Sequence, residues 1–354
     1  MNKFGYYLAN GTKTYSKFVA LQIGKTSFHF NDEVFGAIDT TVEPAQTLEQ
    51  LYIKRAQQIR SKYDYVVLMY SGGSDSNNVL DSFIKADAKI DEICTVWDYP
   101  TTGLEDSFHN AEIVKVVLPR LLELTHIEQR LIDLTPFTMG VFDRLGNSFE
   151  YYVNYHMSPN NIAKQFLREH VKEWADMIAA GKRLVLVWGC EKPIFEFEND
   201  KWYFKFDDRL DNCVGPYTNK PGWYDELFYW TPDMPEIVIK QGHVVRRYCN
   251  CISNLHWMWQ DTPTDCGYNK YIDKYLTYNA LKQIIYPSWD STTFCNGKSW
   301  SMIYSQRDEF FLNGNVHSDR YKQIVDSLYR QAGDVTPVTK RYALWPMHSR
   351  RYEL

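Results

Sequence analysis

Tyr65-Val66-Val67-Leu68-Met69-Tyr70 is an unbroken apolar run, ended at once by Ser71-Gly72-Gly73-Ser74-Asp75-Ser76. A strand that is apolar at every position, rather than at every second one, buries both of its faces. That is the habit of a parallel sheet covered by helices. The small residues that follow cannot continue a strand, and Val79, Leu80, Phe83 and Ile84 return at helical spacing. The chain must therefore turn sharply at the serines and glycines and leave as a helix.

The flanking sequence repeats this alternation. Thr47-Leu48-Glu49-Gln50 reads as a capping box, and Leu48, Leu51, Tyr52 and Ile59 share one face of a helix that stops near Lys62. Ile90–Trp97 reads as a second strand and Ile127–Leu134 as a third. Between them Leu104–Leu124 forms a helix that must kink or break near Pro119. Ser158-Pro159 opens a helix that Gly181-Lys182 closes, and Leu184–Trp188 is a fourth buried strand. Such alternation predicts an α/β fold with a doubly wound, mostly parallel sheet. Ahead of it, Phe4–Leu8 and Phe18–Leu21 read as short strands around the turn dipeptide Asn10-Gly11. Beyond residue 200 strands shorten and Trp, Tyr, Pro and Asn become dense, with one clear helix over Pro235–Tyr248. We expect an N-terminal β extension over 1–46, the sheet domain over 47–200, and a helical, loop-rich C-terminal region over 201–354.

Charge excludes two classes. With 39 Lys+Arg against 44 Asp+Glu, the chain is neither a strongly basic nucleic-acid coat nor an acidic tail. The N-terminus lacks the apolar core of a signal peptide, and no run of about 18 apolar residues exists to span a bilayer. The seven cysteines are odd in number and irregularly spaced, which predicts reduced thiols and a cytoplasmic, membrane-free protein. The aromatic content is high: 26 Tyr, 19 Phe and 11 Trp. Trp202, Tyr203, Trp223, Tyr224, Phe228, Tyr229, Trp230, Trp289 and Trp300 cluster beyond residue 200, where they would wall an acceptor pocket or lid.

The turn itself carries chemistry. Ligands of open parallel sheets bind outside the carboxyl ends of the strands. A helix N-terminus there offers free amides and about half a positive charge to an anion. Gly72 and Gly73 admit a close backbone approach, Ser71, Ser74 and Ser76 add hydroxyls, and Asp75 calls for a cation between itself and a phosphate. No Gly-Lys-Ser/Thr follows, so this is not a Walker A loop, and the glycine pair is not GxGxxG.

Strand–SGGxDS–helix resembles the signature of the PP-loop, or N-type, ATP pyrophosphatases, which include asparagine, GMP, argininosuccinate and NAD synthetases and tRNA-modifying enzymes. The resemblance spans about residues 65–190. The chain as a whole is also similar to asparagine-synthase-like proteins encoded by phages and bacteria. The resemblance implies ATP with Mg²⁺, cleavage between the α and β phosphates, transfer of AMP to an acceptor oxygen, and displacement of AMP by ammonia or an amine. Ser71, Gly72, Gly73, Ser74, Asp75 and Ser76 would cradle the β and γ phosphates, with Asp75 on the metal. Leu68, Met69, Val96 and Trp97 would hold the adenosine. After the fourth strand Glu191 and Lys192 stand where strand-end ligands belong, Glu191 as a second metal contact. The family's acidic-glycine pattern is absent there. Lys298, in an Asn-Gly-Lys turn, is a point charge for the transferring phosphate. Residue 2 is Asn rather than Cys, so an N-terminal-cysteine glutaminase is missing. Ammonia would come from solution or a partner protein. The acceptor is a small molecule or a nucleobase of tRNA or DNA, and a non-catalytic nucleotide-binding module is the remaining alternative.

Weaker candidates were weighed against ordinary surface roles. Lys240 and His243 share a helix face with Arg246-Arg247 following. Asp207-Asp208 is a candidate metal pair, and Asn110 and Glu112 open the helix after the second strand. Cys249-Asn250-Cys251 with His256 supplies too few ligands for a closed zinc site. Cys190 is the best-placed thiol for a thiolation reaction, and Lys340-Arg341 with Arg350-Arg351 could meet RNA or an acidic partner.

Overall fold

The computed structural model describes residues 4–97, 113–133, 167, 171–189, 192–206, 208, 221–251, 278–290 and 347–354. The chain opens with β1 (Tyr6–Ala9) and β2 (Thr12–Thr14), joined by the Asn10-Gly11 turn with both residues at positive φ. Next come α1 (Lys17–Ile23), β3 (Thr26–His29) and the short α2 (Asp32–Phe35). β3 pairs antiparallel with β1, giving a three-stranded sheet of order β2-β1-β3. The expected strand over Phe18–Leu21 is thus a helix. Ser16 accepts from the Val19 amide at 3.2 Å, and that cap selects the helical option for a short apolar run.

α3 (Leu48–Lys62) begins with the capping box: the Gln50 amide donates to Thr47 Oγ1 at 3.2 Å and the Thr47 amide to Gln50 Oε1 at 2.9 Å. β4 (Tyr65–Met69), α4 (Ser74–Lys85) and β5 (Glu92–Trp97) follow. A π-helical turn, Ile113–Val117, runs into α5 (Leu118–Glu123) with Pro119 in its first turn, so the proline opens a helix rather than interrupting one. β6 (Glu128–Asp133), α6 (Lys172–Ala179) and β7 (Leu184–Trp188) complete the alternation. β8 (Ile194–Glu198) and β9 (Lys201–Lys205) form a hairpin, and β10 (Trp223–Leu227) returns to the main sheet. α7 (Glu236–Cys251), α8 (Tyr278–Ile285) and β11 (Tyr352–Glu353) end the described chain.

The main sheet has order β10-β7-β4-β5-β6, and every pairing in it is parallel. It is the α/β architecture that the apolar run demanded, extended past residue 200 by β10. From β4 the chain winds through β5 to β6 on one side, then crosses to β7 and β10 on the other. The reversal lies between β4 and β7, and the crevice at their carboxyl ends is where such sheets take ligands.

Of the nine aromatic residues expected to wall a pocket, four are buried in the described structure and Trp300 lies outside it. Trp202, Phe228, Tyr229 and Trp230 are each buried. Phe206 and Trp230 pack edge to face with centroids 5.1 Å apart, beside Phe30, Phe35, Phe204 and Tyr352. Among the described residues these six rings make a core joining the N-terminal sheet to the β8–β9 hairpin.

Candidate functional site

β4 ends at Met69, and the turn to α4 sits beside the end of β7. Gly72 takes φ +77°, a conformation that side chains rarely adopt. Gly73 caps α4 in an extended conformation without any side-chain cap bond. The first-turn amides therefore keep the donor capacity of an uncapped helix start. The serines divide the work. Ser76 Oγ donates to the Gly73 carbonyl at 3.1 Å and accepts from the Ser71 amide at 3.2 Å, while the Gly73 amide donates to Ser71 Oγ at 3.3 Å. These bonds hold the turn. Ser74 is different: it is only 4% exposed and its hydroxyl has no hydrogen-bond partner among the described residues. A buried polar group left unpaired costs about 1–3 kcal/mol, so this hydroxyl suits an acceptor brought by a ligand.

Asp75 is the electrostatic centre. Lys192 Nζ donates to its Oδ1 at 2.5 Å, and the Tyr286 hydroxyl donates to the same oxygen. Burial opposes the charge, but Lys192 and then Lys282, with the two hydrogen bonds, hold the carboxyl well below the usual range. Burial, and next the Asp75 charge, push the Tyr286 phenol well above its ordinary value, so it stays protonated and donates. Tyr229 donates to the Asp75 carbonyl at 2.9 Å and accepts from Asn78 Nδ2 at 2.9 Å. Behind them Gln241 Nε2 donates to Tyr52 Oη at 2.9 Å, and Tyr52 donates to the Ile285 carbonyl at 2.9 Å. Tyr286 and Tyr229 thus fasten the helix start directly, and Tyr52 ties α3 to α7 and α8 behind them. Gly189, just after β7, comes so close that an added Cβ would lie 3.0 Å from Asp75 C, Ser76 Cα and Ser76 N.

The structure brings Ser71 to Ser76 and Lys192 together. Leu68 and Met69 are buried in the sheet, so only their backbone faces a ligand at the strand end. Val96 is half-buried, and Trp97 is the last residue of β5. Lys298, Glu191, Cys190, Asn110, Glu112, Asp207, His256, Lys340, Arg341 and Trp300 lie outside the described residues. Other candidates have structural partners instead. Asp208 is buried and accepts from the Tyr7 hydroxyl at 3.0 Å and the Met347 amide at 2.9 Å, a clamp rather than a metal ligand. Lys240 reaches the Pro44 carbonyl at 2.9 Å and Glu43 at 2.6 Å, and His243 is buried against the Thr40 carbonyl at 3.0 Å. That helix face docks a loop, not a phosphate. Cys249 is buried, with its thiol pushed up to about 12 by burial, whereas Cys251 is exposed. Arg350 stacks on Tyr352 at 4.8 Å, and Arg351 pairs with Glu198 over the Tyr203 ring, so neither is an open basic patch. Sequence reasoning names Tyr229 only as a pocket-wall aromatic and misses Tyr286 and Lys282. The aromatic density beyond residue 200 is the signal for the tyrosines, and no sequence signal marks Lys282.

No protein-family model matches the chain, and no curated protein does. Sixteen chains of solved structures are similar, among them two synthetases. One is an NMN synthetase from Francisella tularensis, at 10% identity and TM-score 0.32 over 82% of this chain and 99% of that one. The other is an NH3-dependent NAD synthetase from Campylobacter jejuni, at 14% identity and TM-score 0.33 over 67% and 97%. At that distance only the geometry of the loop bears on function. No helix among the described residues is long and apolar enough to cross a membrane.

Proposed function

We propose that the chain is an ATP-dependent, AMP-forming synthetase. An acceptor carboxylate or carbonyl oxygen attacks the α-phosphorus of ATP, the α–β bond breaks, and pyrophosphate leaves. Ammonia or an amine then attacks the activated carbon and expels AMP. The observation that carries this reading is the unpartnered, buried Ser74 hydroxyl in an uncapped glycine turn at the topological switch point.

In this scheme the amides of the first turn of α4 and the Ser74 hydroxyl bind the pyrophosphate oxygens, favoured by the helix dipole. Ser71 and Ser76 keep the turn in shape. Lys192 is a buried point charge beside Asp75 and, in this scheme, balances charge on the α–β bridge when a phosphate binds. Asp75 is ionised and its side chain is 24% exposed, which fits Mg²⁺, an ion usually held by one or two carboxylates together with phosphates. When bound it would neutralise charge on the departing pyrophosphate. Catalysis is positioning and charge stabilisation, and Tyr229 and Tyr286 supply the positioning.

The test is product identity. Incubation with α-labelled ATP, Mg²⁺, ammonium and a panel of carboxylates should release AMP and pyrophosphate. Turnover to ADP and phosphate alone would sink the proposal. A small-molecule acceptor is the reading we keep, and salt-sensitive co-purification of nucleic acid with the protein would overturn that choice.

A further inference from the structure

Ser27 and His29 lie on β3 of the N-terminal sheet and Asp32 opens α2, in a part of the chain that the ATP reading does not use. Ser27 and His29 are two apart in β3, so they project from one face while Phe28 between them is buried on the other. Ser27 Oγ is 2.8 Å from His29 Nε2, and His29 Nδ1 is 2.7 Å from Asp32 Oδ2. The tautomer that connects all three groups carries its ring proton on Nδ1, donated to Asp32 Oδ2. Nε2 is then the bare nitrogen, and the serine hydroxyl donates to it. Asp32 is itself held, since the Tyr352 hydroxyl donates to its Oδ1 at 2.9 Å. The His29 ring lies flat against Tyr6, with centroids 5.1 Å apart and planes 10° from parallel. Ser27 is exposed, whereas the His29 and Asp32 side chains are only 25% and 18% exposed.

We propose that Ser27, His29 and Asp32 form a second, acyl-transfer site that cleaves carboxylic esters. An open nucleophile, a base within hydrogen-bond reach and a carboxylate fixing the base are the arrangement by which an activated serine is recognised on any fold. Ser27 Oγ attacks the ester carbonyl carbon and its proton passes to His29 Nε2. The tetrahedral adduct collapses, His29 returns the proton to the departing alcohol, and an acyl-Ser27 remains. Water, deprotonated by His29, then releases the carboxylic acid and restores the serine. Asp32 is a positioning residue that holds the tautomer and steadies the imidazolium.

The sheet register points to the oxyanion donor. The Asn10 amide donates to the Lys25 carbonyl at 3.2 Å, so the hydrogen-bonded pairs of β1 and β3 fall at Leu8–Ser27 and Tyr6–His29. The amide of Phe28, next after the nucleophile, is therefore directed away from β1. The same face indicates the substrate. Leu8 lies opposite both Ser27 and Lys13, which puts Lys13 two strands, about 10 Å, from the serine. Its ammonium stands 3.9 Å from the Tyr6 ring centroid. An ester whose acyl chain ends in a carboxylate reaches from Ser27 to Lys13.

The full-length protein should be treated with a fluorophosphonate probe and with the p-nitrophenyl esters of acetic acid and of adipic acid (the half-ester). We expect the probe on Ser27, and labelling and hydrolysis both lost in Ser27→Ala while ATP turnover and melting temperature stay unchanged. His29→Gln should slow both at least about 100-fold. Asp32→Asn should slow labelling and alter its pH profile, with partial recovery in Asp32→Glu. Lys13→Ala should remove a preference for the adipate half-ester. A folded wild-type protein that takes no label, or hydrolysis that survives Ser27→Ala, overturns the site. Equal rates for the two esters overturn the anionic substrate class.

Discussion

At Asp75 two opposing effects meet in one carboxylate. Burial favours the neutral acid, and Lys192, Lys282 and Tyr286 favour the anion and prevail. Because the folded value lies below the unfolded one near 3.9, ionised Asp75 adds stability above that pH and loses it only as pH falls through the lowered value. AMP formation should therefore show no acid limb from this group between pH 5 and pH 8. Removing the cation reverses the balance. In Lys192→Ala only Lys282 and Tyr286 still oppose burial, the carboxyl titrates upward, and an acid limb should move toward neutral pH in the rate profile together with a fall of at least about 100-fold in AMP formation. A rate profile identical to wild type would remove Lys192 from the site. Gly189 tests the same place sterically. Its added Cβ would press on backbone atoms of Asp75 and Ser76, which cannot swing aside. Gly189→Ala should cost about 1–3 kcal/mol in urea unfolding and lower AMP formation as α4 shifts. Wild-type values for both would show that the crevice yields there.

At the scale of elements, α3 is bound to β10 by a buried charge. Arg55 and Glu226 are 0% and 1% exposed and meet at 2.7 Å, and Arg55 Nη2 also donates to the Leu227 carbonyl at 3.0 Å. Tyr63 and Lys62 donate to the other Glu226 oxygen at 2.5 and 3.1 Å. Glu226→Gln leaves Arg55 uncompensated in the interior and should cost about 3–5 kcal/mol. Arg55→Met with Glu226→Leu should recover most of that in the same denaturation assay. A loss under 1 kcal/mol for Glu226→Gln would mean water reaches the pair. This clamp shows what the sequence could tell and what it could not. The elements themselves were readable, because Thr47 and Gln50 cap α3 locally and β4 and β7 are apolar throughout. Phe18–Leu21 misled because four apolar residues do not separate a strand from a helix, and a single serine cap decided it. The partners of the site were out of reach. Lys192 and Tyr286 come to Asp75 across 117 and 211 residues, and only the order of the strands and the return of α8 bring them there. Lys192 was named for its place after a strand, not for its contact.

Across the whole molecule, the N-terminal sheet, the β8–β9 hairpin and α7 meet along one seam, and His243 sits in it. The ring is fully buried. Its Nε2 donates to the Thr40 carbonyl at 3.0 Å, while Nδ1 is buried without a partner. Protonation would place an unsatisfied N–H and a positive charge at Nδ1. Burial lowers the pKa most. The Thr40 carbonyl and Glu43 work in the other direction, and Arg246 and Arg247 add to the lowering. The unfolded chain takes up this proton near pH 6.5 and the folded chain does not until lower pH. Stability that is complete above pH 6.5 must therefore decline as pH falls from there toward the lowered folded value. Urea midpoints at pH 7.5 and 5.5 should differ in the wild type. In His243→Gln, which keeps a donor for Thr40 and removes the titration, the difference should shrink. An undiminished difference in the variant would assign the acid sensitivity to another group and leave His243 as packing in the seam.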